Sequence, residues 1–155
     1  MQGENVVTKP LSSSDIDGLT QIESLFFAYR DFIADADRIL DGLNFGRAHH
    51  RVLYFVNRKP GMMVAELLDI LGITKQSLAR VLKELIDSGY ISQKTGETDR
   101  RQRLLYPTTS GRQLIMELSL PQSRRIKAAM KDIPDAGREL IDQFMINMSD
   151  QKDKN

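Results

Sequence analysis

The sequence predicts a mainly helical fold carrying one small β-hairpin. Three observations lead there. Along most of the chain apolar residues recur at steps of three and four, the spacing of helices with one buried face. Residues 90–95 and 104–106 break that rhythm, as short β-forming runs flanking a polar loop. Gly42, Gly61, Gly72 and Gly89 fall between the helical runs, where chain reversals need them.

The first helix is expected over residues 15–42. Ile22, Leu25, Phe26, Tyr29, Phe32, Ile33, Ala36, Ile39, Leu40 and Leu43 make one continuous stripe. Ser13 or Ser14 suits its N-cap and Gly42 its stop. A stripe of about seven turns exceeds what a small domain can cover, so it needs a partner, either a second copy or the C-terminal helices. The second helix, 46–57, ends before the breaker Lys59-Pro60-Gly61. The third, 62–71, places Val64, Leu67, Leu68 and Leu71 on one face, and Gly72 frees the backbone for a sharp turn. Thr74 is a good N-cap for a fourth helix, 75–88, with Leu78, Val81, Leu82, Leu85 and Ile86 inward and Gly89 at C′.

Strands at 90–95 and 104–106 enclose the loop 96–103. Thr108 or Thr109 can cap a fifth helix bearing Leu114, Ile115, Leu118, then Ile126 and Met130. Pro121 inside it predicts a kink or a break, since an interior proline costs ~3 kcal/mol. A last helix, 134–148, shows Leu140, Ile141, Phe144, Met145 and Met148. The chain thus divides into a loose tail (1–14), a long helix (15–45), a central segment (46–108), C-terminal helices (109–148) and a second tail (149–155). Exposed stripes on the first and last helices predict that they pack together in a homodimer.

With 155 residues, 41 % apolar and 28 % charged, the composition is that of an ordinary soluble domain. No apolar run reaches membrane length, and residues 1–14 lack the apolar block of a secretory signal, so no membrane partner and a cytoplasmic location are expected. The absence of Cys excludes disulfides, thiolate metal sites and cysteine redox sensing. The net charge of +1 is uninformative, but its distribution is not: residues 1–45 carry −5, 46–73 carry +2, 74–103 carry +3 and 104–155 carry +1.

That positive segment has the chemistry to read DNA. On the fourth helix the apolar stripe leaves Lys75, Gln76, Ala79, Arg80 and Lys83 on the opposite face, behind Thr74 and with Ser77 in its first turn. Gln pairs with adenine edges, Arg with guanine, and Ser or Thr with bases or phosphates. Ala79 is small enough to admit the groove floor, and the helix N-terminus attracts phosphate. The hairpin crowds Arg100, Arg101 and Arg103 together, which is unfavourable unless an anion compensates. Asp99 can bind one arginine and stiffen the tip while another enters a minor groove. Arg101 is assigned as the internal partner and Arg103 as the projecting one.

Helix–turn–helix, then Asp99-x-Arg101, then Thr108-x-x-Gly111 opening a helix, together resemble the MarR family of bacterial winged-helix regulators over roughly residues 15–148. Gln102 stands where many members carry an acid, and Pro107 where they carry leucine. Within the family, Gly46-Arg47-Ala48-His49-His50-Arg51 with Ile73-Thr74-Lys75-Gln76-Ser77 is similar to the PetP-like branch. The resemblance implies a winged helix-turn-helix domain with a helical dimerisation domain built from both chain ends. It also implies a pseudo-palindromic operator on double-stranded DNA and a cleft where small anionic or aromatic effectors bind. Tyr29, Arg47, His49 and His50 are the residues for such an effector or haem pocket. The simpler reading of the two histidines is one hydrogen-bonded at a domain junction and one at the surface.

Asp31, Asp35, Asp37 and Asp41 read as a solvated helix face, and the seven Met as packing rather than metal ligands. No nucleophile motif or glycine-rich phosphate loop supports an enzyme, and no cofactor is required. The functional expectation is a DNA-binding transcriptional regulator, most simply a ligand-responsive repressor. The competing expectation is a winged-helix protein–protein interaction module without sequence-specific DNA binding.

Overall fold

In the computed structural model, which describes residues 6–150, the elements run α1 (Leu19–Asp41), α2 (Arg47–Arg58), β1 (Met62–Met63), α3 (Val64–Leu71), α4 (Lys75–Asp87), β2 (Ile91–Thr95), β3 (Arg103–Pro107), α5 (Thr109–Ala129) and α6 (Asp135–Met148). Residues 1–5 and 151–155, the outer parts of the two expected tails, lie outside that range. The class is the expected one, mainly α with a small antiparallel sheet.

Two units are distinguished, one ending at Ala34 and one beginning at Asp35. In the first, α1 starts four residues later than expected. The Ser12 amide and hydroxyl both donate to Asp15 Oδ2, at 2.9 and 2.7 Å, which folds this segment into a turn instead of a cap. The first helical bond runs from Ile22 N–H to the Gly18 carbonyl at 2.9 Å. The apolar face of this stretch is exposed, Phe26 by 72 %.

The second unit holds one core. Ala36 and Leu40 from α1, Val52, Leu53 and Val56 from α2, and Leu78, Val81, Leu82 and Leu85 from α4 pack with Leu67, Met62, Ile91 and Leu105. Leu114, Ile115 and Leu118 of α5 complete it. Each fully buried side chain of this size contributes about 1.5–3 kcal/mol. Gly72 adopts φ +61°, a left-handed conformation that costs other residues energy, and so turns α3 into α4. Thr74 Oγ1 accepts the Ser77 N–H at 3.1 Å and caps α4 as expected.

Met62 and Met63 are not the first turn of α3. They form an edge strand paired antiparallel with Leu105 and Leu104, giving the sheet order β1–β3–β2. Two residues carry no readable period, so the sequence pattern merged them with the helix behind. Strand β2 begins at Ile91, not Tyr90, and β3 is longer at both ends than expected. Helix α5 runs from Thr109 to Ala129 with Pro121 inside it, so of the expected kink or break the break is absent. The proline forfeits one amide donor, while Leu118, fully buried one turn earlier, holds the helix on the core.

Where β3 meets α5, the chain is clasped to the end of α4. The Thr108 hydroxyl donates to the Gly89 carbonyl at 2.6 Å and accepts the Gly111 N–H at 3.0 Å. Thr108 N–H donates to the Tyr90 carbonyl at 3.2 Å. A Cβ on residue 111 would lie 1.9 Å from that same carbonyl oxygen, so only glycine permits the approach. Pro107 ends the strand opposite Ile91 without disturbing this exit. Beyond it, α6 has no buried residue, and Leu140, Phe144, Met145, Ile146 and Met148 are all exposed.

Candidate nucleic-acid interface

The outward face of α4 is the one its sequence implies. Leu78, Val81, Leu82 and Leu85 are buried, which leaves Lys75, Gln76, Ala79, Arg80 and Lys83 exposed, with Thr74 exposed at the cap and Ser77 half-buried. Two of its cations lie against carboxylates one turn on. Arg80 Nη1 is 3.3 Å from Glu84 Oε1, and Lys83 Nζ bonds Asp87 Oδ2. The Asp87 hydrogen bond and charge raise the Lys83 ammonium above its ordinary value.

The hairpin turn is closed by Gly96 N–H to Gln102 O at 2.9 Å and Gln102 N–H to Asp99 O at 3.0 Å. Asp99 Oδ1 accepts the Arg101 amide at 2.9 Å, and Arg101 Nε lies 3.5 Å from the same oxygen. The Arg101 side chain is otherwise open, 94 % exposed, and Arg100 is exposed beside it. Arg103, expected to project from the tip, is exposed but stands at the start of β3 and not in the turn. It pairs with Thr95 inside the ladder. Because strand side chains alternate, Arg103 shares a sheet face with Leu105, which is in the core. It therefore lines a depression of about 350 Å³ with Gln93, Ala79, Lys83 and Asp87. The cations at the turn itself are Arg100 and Arg101.

His49 is buried to 5 % exposure. Its ring stacks on Phe45, centroids 4.6 Å apart and planes 13° from parallel, and Phe45 meets Tyr90 edge-on. Its Nδ1 accepts the Gly46 N–H at 3.0 Å, satisfying a donor at the start of α2. The ring proton then sits on Nε2, which donates to Glu84 Oε2 at 2.6 Å. That hydrogen bond, ahead of the Arg80 charge, holds the Glu84 carboxyl below the ordinary carboxylate range. Sequence reasoning missed Glu84, whose only signal is its i+4 spacing from Arg80.

The four effector-pocket residues are not gathered into one site within the second unit. Arg47 and His49 line a depression of about 690 Å³ with Phe45, Arg80 and Glu84, and Arg47 Nη2 is 3.2 Å from Asp37. His50 does not line it. Burial, opposed by Asp37 and reinforced by Arg51, pushes the His50 imidazole below its ordinary value. Tyr29 belongs to the first unit and is half exposed. Of the acidic stripe, Asp31 pairs with Arg30 at 2.8 Å, and Asp35 pairs with Arg38 and, at 3.7 Å, Arg125. Among the described residues no group of three His, Asp or Glu could hold a metal ion, and no helix is long and apolar enough to cross a membrane.

Residues 43–102, which span the helix–turn–helix and most of the hairpin, match the family model described as MarR family. The HTH-type transcriptional regulator PetP of Rhodobacter capsulatus is 52 % identical over 110 residues, 71 % of this chain and 66 % of that protein, a little under two thirds of its length. A crystal structure of MarR superposes with a TM-score of 0.67 at 25 % identity, covering 92 % of this chain and 95 % of that one. Streptococcus pneumoniae FabT, crystallised in complex with DNA, gives 0.74 at 16 % identity over 85 % of this chain and 94 % of its own.

Proposed function

Since the chain belongs to the MarR family, we propose that it is a homodimeric, sequence-specific DNA-binding transcriptional regulator that acts in the cytoplasm, on the nucleoid, as a ligand-responsive repressor. One observation carries the proposal. The polar face of α4, with Lys75, Gln76, Ala79, Arg80 and Lys83, stands clear of the core that the same helix builds, and Arg100 and Arg101 stand at the turn of the adjoining hairpin. An α-helix of this kind fits the major groove, and an arginine-bearing loop fits the neighbouring minor groove or its phosphates. That a structural neighbour was crystallised on DNA supports the same use of this fold.

Dimerisation is supported by α6, which leaves an apolar face unburied along its whole length. Two copies would present their α4 helices to successive major grooves, so the operator is a pseudo-palindrome with half-sites about 10 bp apart. A ligand relieves repression only if it binds a DNA-incompetent subunit arrangement more tightly than the competent one. Arg47, beside the depression at the start of α2, is the cation suited to a small anionic or aromatic effector. His49 forms its wall, with both ring nitrogens already bonded internally. No cofactor enters this reading.

Selection of bound fragments from genomic DNA, with sedimentation of the same sample, tests it. The expected result is a dimer that enriches an inverted repeat. A stable monomer, or fragments bound without discrimination between sequences, would overturn it in favour of a protein-docking module.

A further inference from the structure

Arg80 and Lys83 occupy the same face of α4 and each meets a carboxylate four residues on, yet the two pairs are built differently. Asp87 is 60 % exposed at its side chain, and Lys83 75 %. Such a pair is two flexible chains in water, and its geometry is loosely held. Glu84 instead has one oxygen fixed from below: His49 Nε2 lies 2.6 Å from Oε2, and the His49 side chain is only 7 % exposed. The imidazole cannot swing away, because Phe45 stacks on its face and Gly46 N–H holds Nδ1. The other oxygen, Oε1, faces Arg80. Arg80 is thus the one cation of this face seen to have its counter-ion anchored in the core.

We propose that His49 and Glu84 are positioning residues that aim the Arg80 guanidinium at a single base pair of each half-site. The inference rests on the reading of α4 as the DNA-facing helix. An arginine discriminates bases only when its planar fork is presented to the guanine edge at a set angle, whereas attraction to phosphate tolerates wide motion. A carboxylate anchored on a buried ring limits that motion before DNA arrives. Lys83, on its exposed partner, is left for phosphate.

The ring's two bonds can be separated by substitution. In His49→Asn the amide oxygen replaces Nδ1 and still accepts from Gly46, but nothing reaches Glu84. In His49→Gln the amide nitrogen replaces Nε2 and still donates to Glu84, while the Gly46 bond is lost.

The test uses duplexes that the full-length parent protein selects from a randomised library. Base preference is then measured at every position by competition for the parent, Arg80→Ala, Glu84→Gln, His49→Asn, His49→Gln and the Arg80→Ala/Glu84→Gln double variant. Arg80→Ala should flatten preference at one position of each half-site. Glu84→Gln and His49→Asn should lower preference at that same position by about fivefold and leave the others at parental values. His49→Gln, which keeps the donor to Glu84 but loses the ring that Phe45 and Gly46 hold, should recover part of the preference that His49→Asn loses, and Glu84→Gln should add nothing once Arg80 is gone. If Arg80→Ala flattens that position while Glu84→Gln and His49→Asn leave it intact, the positioning role is refuted and the DNA-facing role of α4 stands. A loss spread evenly over all positions in Glu84→Gln also refutes it. If Arg80→Ala changes no position, the assignment of Arg80 falls and takes this proposal with it. Glu84 is at the surface, so its variant keeps the test open even where a His49 variant folds poorly.

Discussion

Replacing Gly111 with alanine places a methyl group where the Tyr90 carbonyl already stands. The added Cβ would lie 1.9 Å from that oxygen and 3.0 Å from its carbon, and both are backbone atoms that no rotamer change can move. Relief needs a displacement of about 1.5 Å to restore an ordinary contact distance of roughly 3.4 Å. That shift would pull Thr108 off its partners, the Tyr90 carbonyl at 3.2 Å and the Gly89 carbonyl at 2.6 Å. Overpacking of this kind costs about 1–3 kcal/mol, and each net hydrogen bond about 0.5–1.5. Against them, alanine in a helix recovers about 1 kcal/mol over glycine. The balance is a loss of about 1–5 kcal/mol, and its centre near 3 kcal/mol corresponds to a fall in Tm of roughly 6–12 °C for a chain of this size. Denaturant titration followed by circular dichroism measures it, with Ser110→Ala, one residue earlier and exposed, as a control within about 0.5 kcal/mol of the parent. A Gly111→Ala protein as stable as that control would refute the close approach.

Arg100→Ala should weaken DNA binding and reduce the slope of log K against log salt by about one, whereas Arg103→Ala should change that slope less; gel-shift titrations at several salt concentrations compare the two, and the reverse order would return the projecting role to Arg103. Gln76→Ala should relax base preference and cost about 1–3 kcal/mol on the selected site, read by competition binding; parental preference would remove Gln76 from the reading set. The His50 value is lowered mainly by burial, so the unfolded chain takes up a proton more readily than the folded one. The stability this group supports is therefore complete above its ordinary value of 6.5 and is lost as pH falls through the lowered folded value. Unfolding measured across that range should show the loss in the parent and a flatter profile in His50→Gln; identical profiles would contradict it.

The parts of the fold that the sequence announced are those fixed by local chemistry. Helical spacing marked α2, α4 and α6 to within a residue or two, because each has one apolar stripe and a breaker or cap at its ends. Gly72 and Thr74 were legible for the same reason. The misjudged features depend on partners distant in the chain. Met62–Met63 is a strand only because Leu104 and Leu105 lie alongside. The start of α1 moved because Ser12 and Asp15 close a turn over the segment expected to open the helix, which begins at Leu19 instead. Arg103 was grouped with the turn because its residue type matches its neighbours, while the ladder continues to Thr95 and assigns it to the helix-facing side. For the site, the exposed face of α4 was readable from periodicity alone. The anchoring of Arg80 was not, since it passes through His49, thirty-five residues before Glu84.

The clasp at Thr108 has a mechanical consequence. Both strands of the hairpin leave from the point where Gly89 and Tyr90 are fastened to the first turn of α5. Farther along, Met62 and Met63 pair with Leu105 and Leu104, and Ile91 and Leu105 are sunk in the core. The hairpin is therefore a strut braced at two places, so the bearing of Arg100 and Arg101 toward α4 is set by the core and by α5 together.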